Sequence, residues 1–271
     1  MSVPRCFGVL GHPIGHSLSP AMHGAAFEAL GLPHRYLAFD VTPDTLASAL
    51  EGAAALGFGG LNLTVPLKTH AVALMDALSP EAEAIGAVNT VCFTPQGTVG
   101  RNTDGAGFVE SLRMLVPALP ARALVLGGGG ASRAVVHALL HEGVRVDWVS
   151  RRPEALPEWG ATRLGYDALG AALPSTDLLV NGTTVGMAGG APDFPVPIDV
   201  AALPRSAAVA DLVYPATALV RRAEHAGLRV MDGLPMLWGQ GVLALQHWLG
   251  QTLDPDTRDA MRRALGSSLL K

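Results

Sequence analysis

Two of the 19 basic residues in this 271-residue chain are lysines, Lys68 and the C-terminal Lys271; the rest are arginines. A chain so biased toward Arg has no need of Lys for surface charge at position 68. Arg is permanently charged, whereas Lys gives up its proton where its surroundings disfavour the cation. Lys68 is therefore a candidate acid/base group, with a solvated surface lysine as the plain alternative. It closes the run Gly60-Leu-Asn-Leu-Thr-Val-Pro-Leu-Lys68, which is strand-like up to Thr64. Pro66 suits the first position of a helix capped by Thr64 or Val65. The pattern predicts a helix to about Met75 with Lys68 in its first turn. A cation there opposes the helix macrodipole by ~0.3–1 kcal/mol.

Other polar residues stand where a plain core would not need them. Gly11-His-Pro-Ile-Gly-His-Ser-Leu-Ser-Pro20 follows the first strand-like run. Ser17 and Ser19 alternate as on one face of an extended stretch and can hold a hydroxylated or carboxylated ligand. Alternatively, Ser19 only caps the helix after Pro20. His12 and His16 have metal-ligand spacing for a helix, but Pro13 and Gly15 forbid one, and no metal is expected. Ile85–Thr90 and Gly100–Gly105 each place an amide, Asn89 and Asn102, at a strand end. Asp104 either caps the next helix or holds the ammonium of a proton-exchanging lysine.

Leu126-Gly-Gly-Gly-Gly-Ala-Ser-Arg-Ala134 follows an apolar strand and opens a helix, the setting in which a glycine fingerprint binds a dinucleotide. Gly127 permits the tight turn and Gly129 lets the backbone approach a pyrophosphate at the helix N-terminus, flanked by Gly128, Gly130 and Ala131. Where an NAD site places an acid for the ribose, this chain has Ser150-Arg-Arg152. Adjacent guanidiniums at Arg151 and Arg152 suit a 2′-phosphate, which points to NADP. Asn181-Gly-Thr-Thr-Val-Gly-Met187, with Thr183, would line the cofactor crevice, and Asp211-Leu-Val-Tyr-Pro215 sets Leu212 and Tyr214 at another strand end.

The elements that must position these residues alternate. Strand-like runs lie at 5–10, 35–40, 60–64, 88–93 and 98–101, the last two around a hairpin turn at Thr94–Gly97. Helix-like runs lie at 21–30, 43–56 and 104–115. A second alternation begins at Ala121, with strands at 123–126, 144–149, 177–180, 207–211 and 228–231, a helix at 131–142, and closing helices at 235–249 and 255–265. Repeated strand–helix units predict an α/β fold with parallel sheets covered on both faces. The chain is 49% hydrophobic with a formal net charge of −4, which gives no basic footprint for nucleic acid. No apolar run approaches a membrane span. The N-terminus carries no signal-peptide pattern, and Cys6 and Cys92 sit in apolar runs as buried thiols. A cytoplasmic protein is expected.

The order of these motifs resembles the shikimate dehydrogenase family over nearly the whole chain. The matching stretches are His16–Pro20, Asn62–Lys68, Gly86–Thr90, Asn102–Asp104, Gly127–Ala134, Asn181–Met187, Asp211–Pro215 and Gly233–Gln240. The resemblance implies two α/β domains with a cleft between them. One is a discontinuous substrate-binding domain, 1–103 with 237–271; the other is a Rossmann-like doubly wound NADP domain, 104–236. It implies reversible hydride transfer between NADPH and 3-dehydroshikimate to give shikimate, on the route to chorismate and the aromatic amino acids, by a monomer or homodimer. Carried over by motif, Ser17 and Ser19 hold the substrate carboxylate. Thr64, Asn89 and Gln240 bind ring hydroxyls, Lys68 and Asp104 form the catalytic pair, and Tyr214 lies near the substrate. Gly233 and Met236 belong to the cofactor side. The pattern departs from the family at Gly24, Gly128 and Ser150–Arg152. Rival readings are a quinate/shikimate dehydrogenase using NAD, an amino-acid or folate dehydrogenase, and a non-catalytic NADP-binding sensor; the last has no need of Lys68 and Asp104, which this chain keeps.

Overall fold

The computed structural model describes residues 3–266; the outer ends of the expected substrate-binding segments, residues 1–2 and 267–271, lie outside the described residues. The chain divides into two compact units, Met1–Gly107 with Leu237–Lys271, and Phe108–Met236. The first crossing between them falls at Gly107/Phe108 instead of 103/104, because Gly107 packs on the backbone of Gln240 in the same unit: a Cβ on it would lie 2.4 Å from the Gln240 nitrogen.

The first unit opens with β1 (Cys6–Gly11), α1 (Ser19–Ala29), β2 (Arg35–Asp40), α2 (Leu46–Ala55) and β3 (Gly60–Leu63). It continues through β4 (Ala77–Leu78), α3 (Pro80–Ile85), β5 (Thr90–Thr94), β6 (Gly97–Arg101) and the start of α4 (Asp104–Leu115). Its sheet runs β2-β1-β3-β5-β6-β4. β1 is parallel to β2 and β3, but β5 is antiparallel to both β3 and β6, so this sheet is mixed and not parallel throughout. The hairpin at Thr94–Gly97 is the cause, since a short turn can join only antiparallel strands. The strand β4 and helix α3 escape the periodicity because they are short. α3 is still marked in the residues: Ser79 Oγ accepts the Ala82 N–H, Pro80 opens the helix, and Gly86 closes it at φ 66°.

The expected helix from Pro66 to Met75 is not formed. Residues 65–69 make a turn, followed by a 3₁₀ helix at His70–Leu74. The carbonyl of Lys68 accepts the N–H of Val88 at 2.8 Å, so it is committed to a neighbouring segment and not to a helical ladder. Lys68 therefore does not stand in a helical first turn, and the macrodipole argument does not apply to it.

The second unit carries β7 (Arg122–Leu126), α5 (Gly130–His141), β8 (Arg145–Val149), β9 (Thr162–Leu164), α6 (Leu169–Ala172), β10 (Leu178–Asn181), β11 (Ala208–Asp211), α7 (Ala218–His225) and β12 (Arg229–Met231). Its sheet order is β12-β11-β10-β7-β8-β9, with every pairing parallel. The order reverses at β7, the switch point where open α/β sheets bind ligands. Alternate residues feed two apolar clusters: Ala123, Val125, Leu178 and Val180 enter one, while Leu124, Leu126 and Leu179 enter the other. Burial on both faces is what makes these strands read as continuous apolar runs. The chain returns to the first unit within α8 (Gly233–Leu249) and ends in α9 (Pro255–Ala264), whose cap is Asp254 Oδ1 accepting the Thr257 N–H at 2.8 Å. Cys6 and Cys92 are free and half-buried, not fully buried. Among the described residues no helix is long and apolar enough to cross a membrane.

In the first unit the ring of His23 is wholly buried, stacked on Tyr36 with centroids 4.3 Å apart, and neither ring nitrogen has a hydrogen-bond partner among the described residues. Burial pushes its pKa from 6.5 down to about 3. The unfolded chain then takes up this proton first as pH falls, so folding stability is intact above pH 6.5 and declines below it, by up to about 1.4 kcal/mol per pH unit. Burial moves His34 and His247 in the same direction. Urea unfolding at pH 6.5 and 4.5 should show a smaller pH-dependent loss in His23→Phe than in the unaltered protein; equal losses would contradict the assignment.

Candidate active site

The candidate site is assembled where β3 ends, β5 begins and α4 starts. β3 and β5 pair antiparallel with Asn62 opposite Thr90, and the Leu63 N–H donates to the Asn89 carbonyl at 2.8 Å. The Asn89 N–H in turn donates to the Arg101 carbonyl at 3.0 Å, which ties the start of β5 to the end of β6. Asn89 is 1% exposed, so its amide must find all its partners inside the protein.

Lys68 and Asp104, far apart in sequence, meet here. Lys68 Nζ donates to Asp104 Oδ2 at 2.6 Å, with the lysine side chain 13% exposed and the aspartate 3%. This removes the solvated-lysine alternative. The second carboxylate oxygen, Oδ1, accepts from Asn89 Nδ2 at 2.8 Å. The Asp104 N–H donates to Asn102 Oδ1 at 3.0 Å, so Asn102 supplies the polar partner at the mouth of α4 while both Asp104 oxygens serve the site. Removing one partner of such a buried pair typically costs about 3–5 kcal/mol, because the other charge is left uncompensated.

Gln240 is brought to the same cluster by the crossing of α4 and α8. Gly107 and Gly239 let the two backbones touch; a Cβ on Gly239 would lie 2.8 Å from the Gly107 carbonyl oxygen. Thr103 Oγ1 donates to the Gln240 carbonyl at 3.1 Å, and Asn89 Nδ2 lies 3.3 Å from Gln240 Oε1. Thr64 is half-buried at the end of β3, in contact range of Gly11, where an added Cβ would meet its methyl at 2.3 Å. Ser17 Oγ accepts the Ser19 N–H at 3.3 Å. The expected capping role of Ser19 is not seen: the N-cap position is Leu18, no side chain caps α1, and Ser19 lies buried inside the first turn.

In the second unit Gly127 has φ 107°, and a Cβ there would meet Ser132 Oγ at 2.7 Å, so the turn after β7 requires glycine. Ser132, in place of a third glycine, is fully buried and donates to the Gly182 carbonyl at 2.8 Å, tying α5 to the loop after β10. Gly129 is the N-cap of α5 with no side-chain cap, and a Cβ on it would meet nothing within 4 Å. An uncapped helix N-terminus above an open glycine cradle fits a pyrophosphate. Ser150 follows β8, its Oγ accepting the Arg152 N–H at 3.2 Å. Arg151 and Arg152 are exposed beside it, and the Arg151 charge opposes the upward push that burial gives the Tyr166 phenol.

Thr183 is fixed by Asn181, whose Oδ1 accepts both its N–H and its hydroxyl, at 3.0 and 2.7 Å. Asp211, fully buried, accepts from Asn181 Nδ2, the Val213 N–H and Thr217 Oγ1, and so locks the loop bearing Leu212 and Tyr214. Burial pushes its carboxyl up, these hydrogen bonds oppose the shift, and neighbouring Asp232 adds to it. Gly233 abuts the Leu212 carbonyl, and Met236 is buried in the apolar core of this unit.

Three residues of the first-unit cluster escape a linear reading: Asn62, Thr90 and Thr103, all buried and all hydrogen-bonded to Asn89. The one available signal is Asn62 itself, a polar residue inside the wholly buried strand Gly60–Leu63.

Residues 9–91 match the model of the shikimate dehydrogenase substrate binding domain. The chain is 44% identical to a shikimate dehydrogenase (NADP(+)) of Methylobacterium radiotolerans, covering 96% of each chain. It is 45% identical to a shikimate dehydrogenase (NADP(+)) of Thermus thermophilus, covering 96% of this chain and 98% of the relative. The crystal structure of the shikimate 5-dehydrogenase from a second strain of Thermus thermophilus, in complex with NADP(H) and shikimate, superposes with a TM-score of 0.83 at 42% identity, over 96% of this chain and 99% of that one.

Proposed function

The chain belongs to the shikimate dehydrogenase family, and on that premise we propose that Lys68 and Asp104 move the proton of its reaction. The protein is an NADP-dependent oxidoreductase that interconverts shikimate and 3-dehydroshikimate. The bound nicotinamide supplies or takes up the hydride. In the reductive direction Lys68 Nζ donates a proton to the alkoxide that forms as the ketone carbon is reduced. In the oxidative direction Nζ accepts the hydroxyl proton, and Asp104 Oδ2, 2.6 Å away, holds the resulting ammonium. The single observation that supports this reading is that buried contact, with the second carboxylate oxygen already satisfied by Asn89.

Ser17 and Ser19 are assigned to the substrate carboxylate, Thr64, Asn89 and Gln240 to its ring hydroxyls, and Tyr214 to the substrate as well. The glycines 127–130 and Ala131 hold the pyrophosphate, Thr183, Leu212, Gly233 and Met236 border the nicotinamide side, and Ser150, Arg151 and Arg152 hold the 2′-phosphate. We place the protein in the cytoplasm, acting as a monomer or homodimer in aromatic amino-acid biosynthesis.

Steady-state kinetics test both assignments. Lys68→Ala should lower kcat by about 10²–10⁴-fold with a smaller change in KM for shikimate; a raised KM at unchanged kcat would make Lys68 a binding group only. Arg151→Ala and Arg152→Ala should raise KM for NADP and leave KM for NAD nearly unchanged; equal effects on both cofactors would remove the 2′-phosphate assignment.

A further inference from the structure

Behind the candidate site lies a buried chain of hydrogen bonds with a fixed sense. Tyr36 Oη donates to Asn62 Oδ1 at 2.7 Å. Asn62 Nδ2 donates to the Asn89 carbonyl at 3.0 Å and to Thr90 Oγ1 at 3.2 Å. Thr90 Oγ1 donates to Asn89 Oδ1 at 2.8 Å, and Asn89 Nδ2 donates to Asp104 Oδ1 at 2.8 Å. Tyr36, Asn62, Thr90 and Asn89 are all buried, so no bulk water stands ready to replace a missing partner.

Each step leaves one arrangement. The Asn62 amide nitrogen must face the Asn89 carbonyl, because its own oxygen there would set two acceptors together. Its oxygen then faces Tyr36, whose hydroxyl supplies the hydrogen. With Asn62 so held, the Thr90 hydroxyl receives a hydrogen from one side and gives its own to Asn89 Oδ1. That oxygen also accepts the Thr103 N–H at 2.9 Å, which leaves the Asn89 nitrogen turned toward Asp104. The Tyr36 ring is itself held by the stacked ring of His23, 4.3 Å between centroids at 13°.

We propose that Tyr36 is a positioning residue for the reaction, acting through Asn62, Thr90 and Asn89 to fix the carboxylate that holds Lys68. The proposal rests on the reading of Lys68 and Asp104 as the proton-moving pair. Tyr36 belongs to neither the fingerprint nor the residues assigned to the substrate, and its hydroxyl donates to Asn62. Its removal should loosen the orientation of Asp104 Oδ1 without removing any group assigned to the substrate. Asn89 is also assigned to the ring hydroxyls, so the signature is a loss in the chemical step larger than any loss in shikimate binding, with NADP binding unaffected.

Tyr36→Phe removes the hydroxyl alone, and Thr90→Val breaks the same chain at its middle. In folded protein each should lower kcat by about 5- to 20-fold, the scale of one buried hydrogen bond, with KM for NADP changed less than about twofold and KM for shikimate, which Asn89 also contacts in this reading, rising by less than kcat falls. The slowing by deuterium on the carbon that loses hydride should become more pronounced. The double variant should be no slower than the slower single variant, because both break one chain, whereas independent defects would multiply. Unchanged kcat in both variants, with only a lower Tm, would overturn the proposal; so would multiplicative losses in the double variant. If Tyr36→Phe does not fold, Thr90→Val alone decides by its kcat and isotope effect. Lys68→Ala is measured alongside: normal kcat there would defeat the reading of the pair, while an inactive Lys68→Ala with a fully active Tyr36→Phe would defeat only the role of Tyr36.

Discussion

Asn89 has one amide oxygen and two amide hydrogens, and their assignment governs the rest of the first unit's polar interior. The oxygen is held by Thr90 Oγ1 and the Thr103 N–H, so the nitrogen gives its two hydrogens to Thr103 Oγ1 and Asp104 Oδ1, at 2.9 and 2.8 Å, with Gln240 Oε1 farther off at 3.3 Å. An amide buried this deeply is costly if left unpaired and strongly orienting if satisfied. The Asn89 side chain joins β5, α4 and α8, and its backbone carbonyl joins β3. The contact of Asp104 with Lys68 is the outer end of this arrangement. A lysine–carboxylate pair in the interior gives little net stability by itself, because desolvation offsets most of the attraction.

The two units solve different problems. The second is built on a parallel sheet buried on both faces, and its chemistry sits in backbone geometry: a glycine turn at φ 107° and an uncapped helix N-terminus at Gly129. Such a cradle recognises phosphate by N–H groups and helix dipole and is read from glycine positions. The first unit carries its chemistry in side chains at strand ends, on a mixed sheet whose antiparallel hairpin returns the chain so that Asn89 and Asp104 come side by side. Gly107 and Gly239 then allow α8 to bring Gln240 in from the far end of the sequence.

Much of this is legible in the residues. Lys68 stands out by scarcity, the cofactor cradle by a glycine run between a strand and a helix, and most strands by apolar runs whose pattern follows directly from burial on both faces. What escapes does so for physical reasons. The 66–75 segment carries a helix-opening proline, but its backbone is drawn off by the bond from Val88 to the Lys68 carbonyl, a long-range contact invisible to local pattern. Ser19 has the residue type of a cap, yet the first turn of α1 begins one residue earlier than that role requires. Asp104 is ambiguous between capping and charge pairing until Asn102 is found to take its N–H. Tyr36 and Thr90 are silent, and Asn62 marks only itself, because the donor chain exists only when β2, β1, β3 and β5 are laid side by side.

Lys68 is proposed to exchange the hydroxyl proton as the carbon–hydrogen bond breaks. The most direct measurement is the oxidation of shikimate by NADP with hydrogen or deuterium on the reacting carbon, each in H2O and in D2O, reading kcat/KM. Both substitutions should slow the reaction, and the solvent effect should persist with the deuterated substrate, as it must if both hydrogens move in one step. Slowing by carbon deuterium with no solvent effect would contradict the proposal, leaving Lys68 and Asp104 to bind the substrate while the proton leaves by another route.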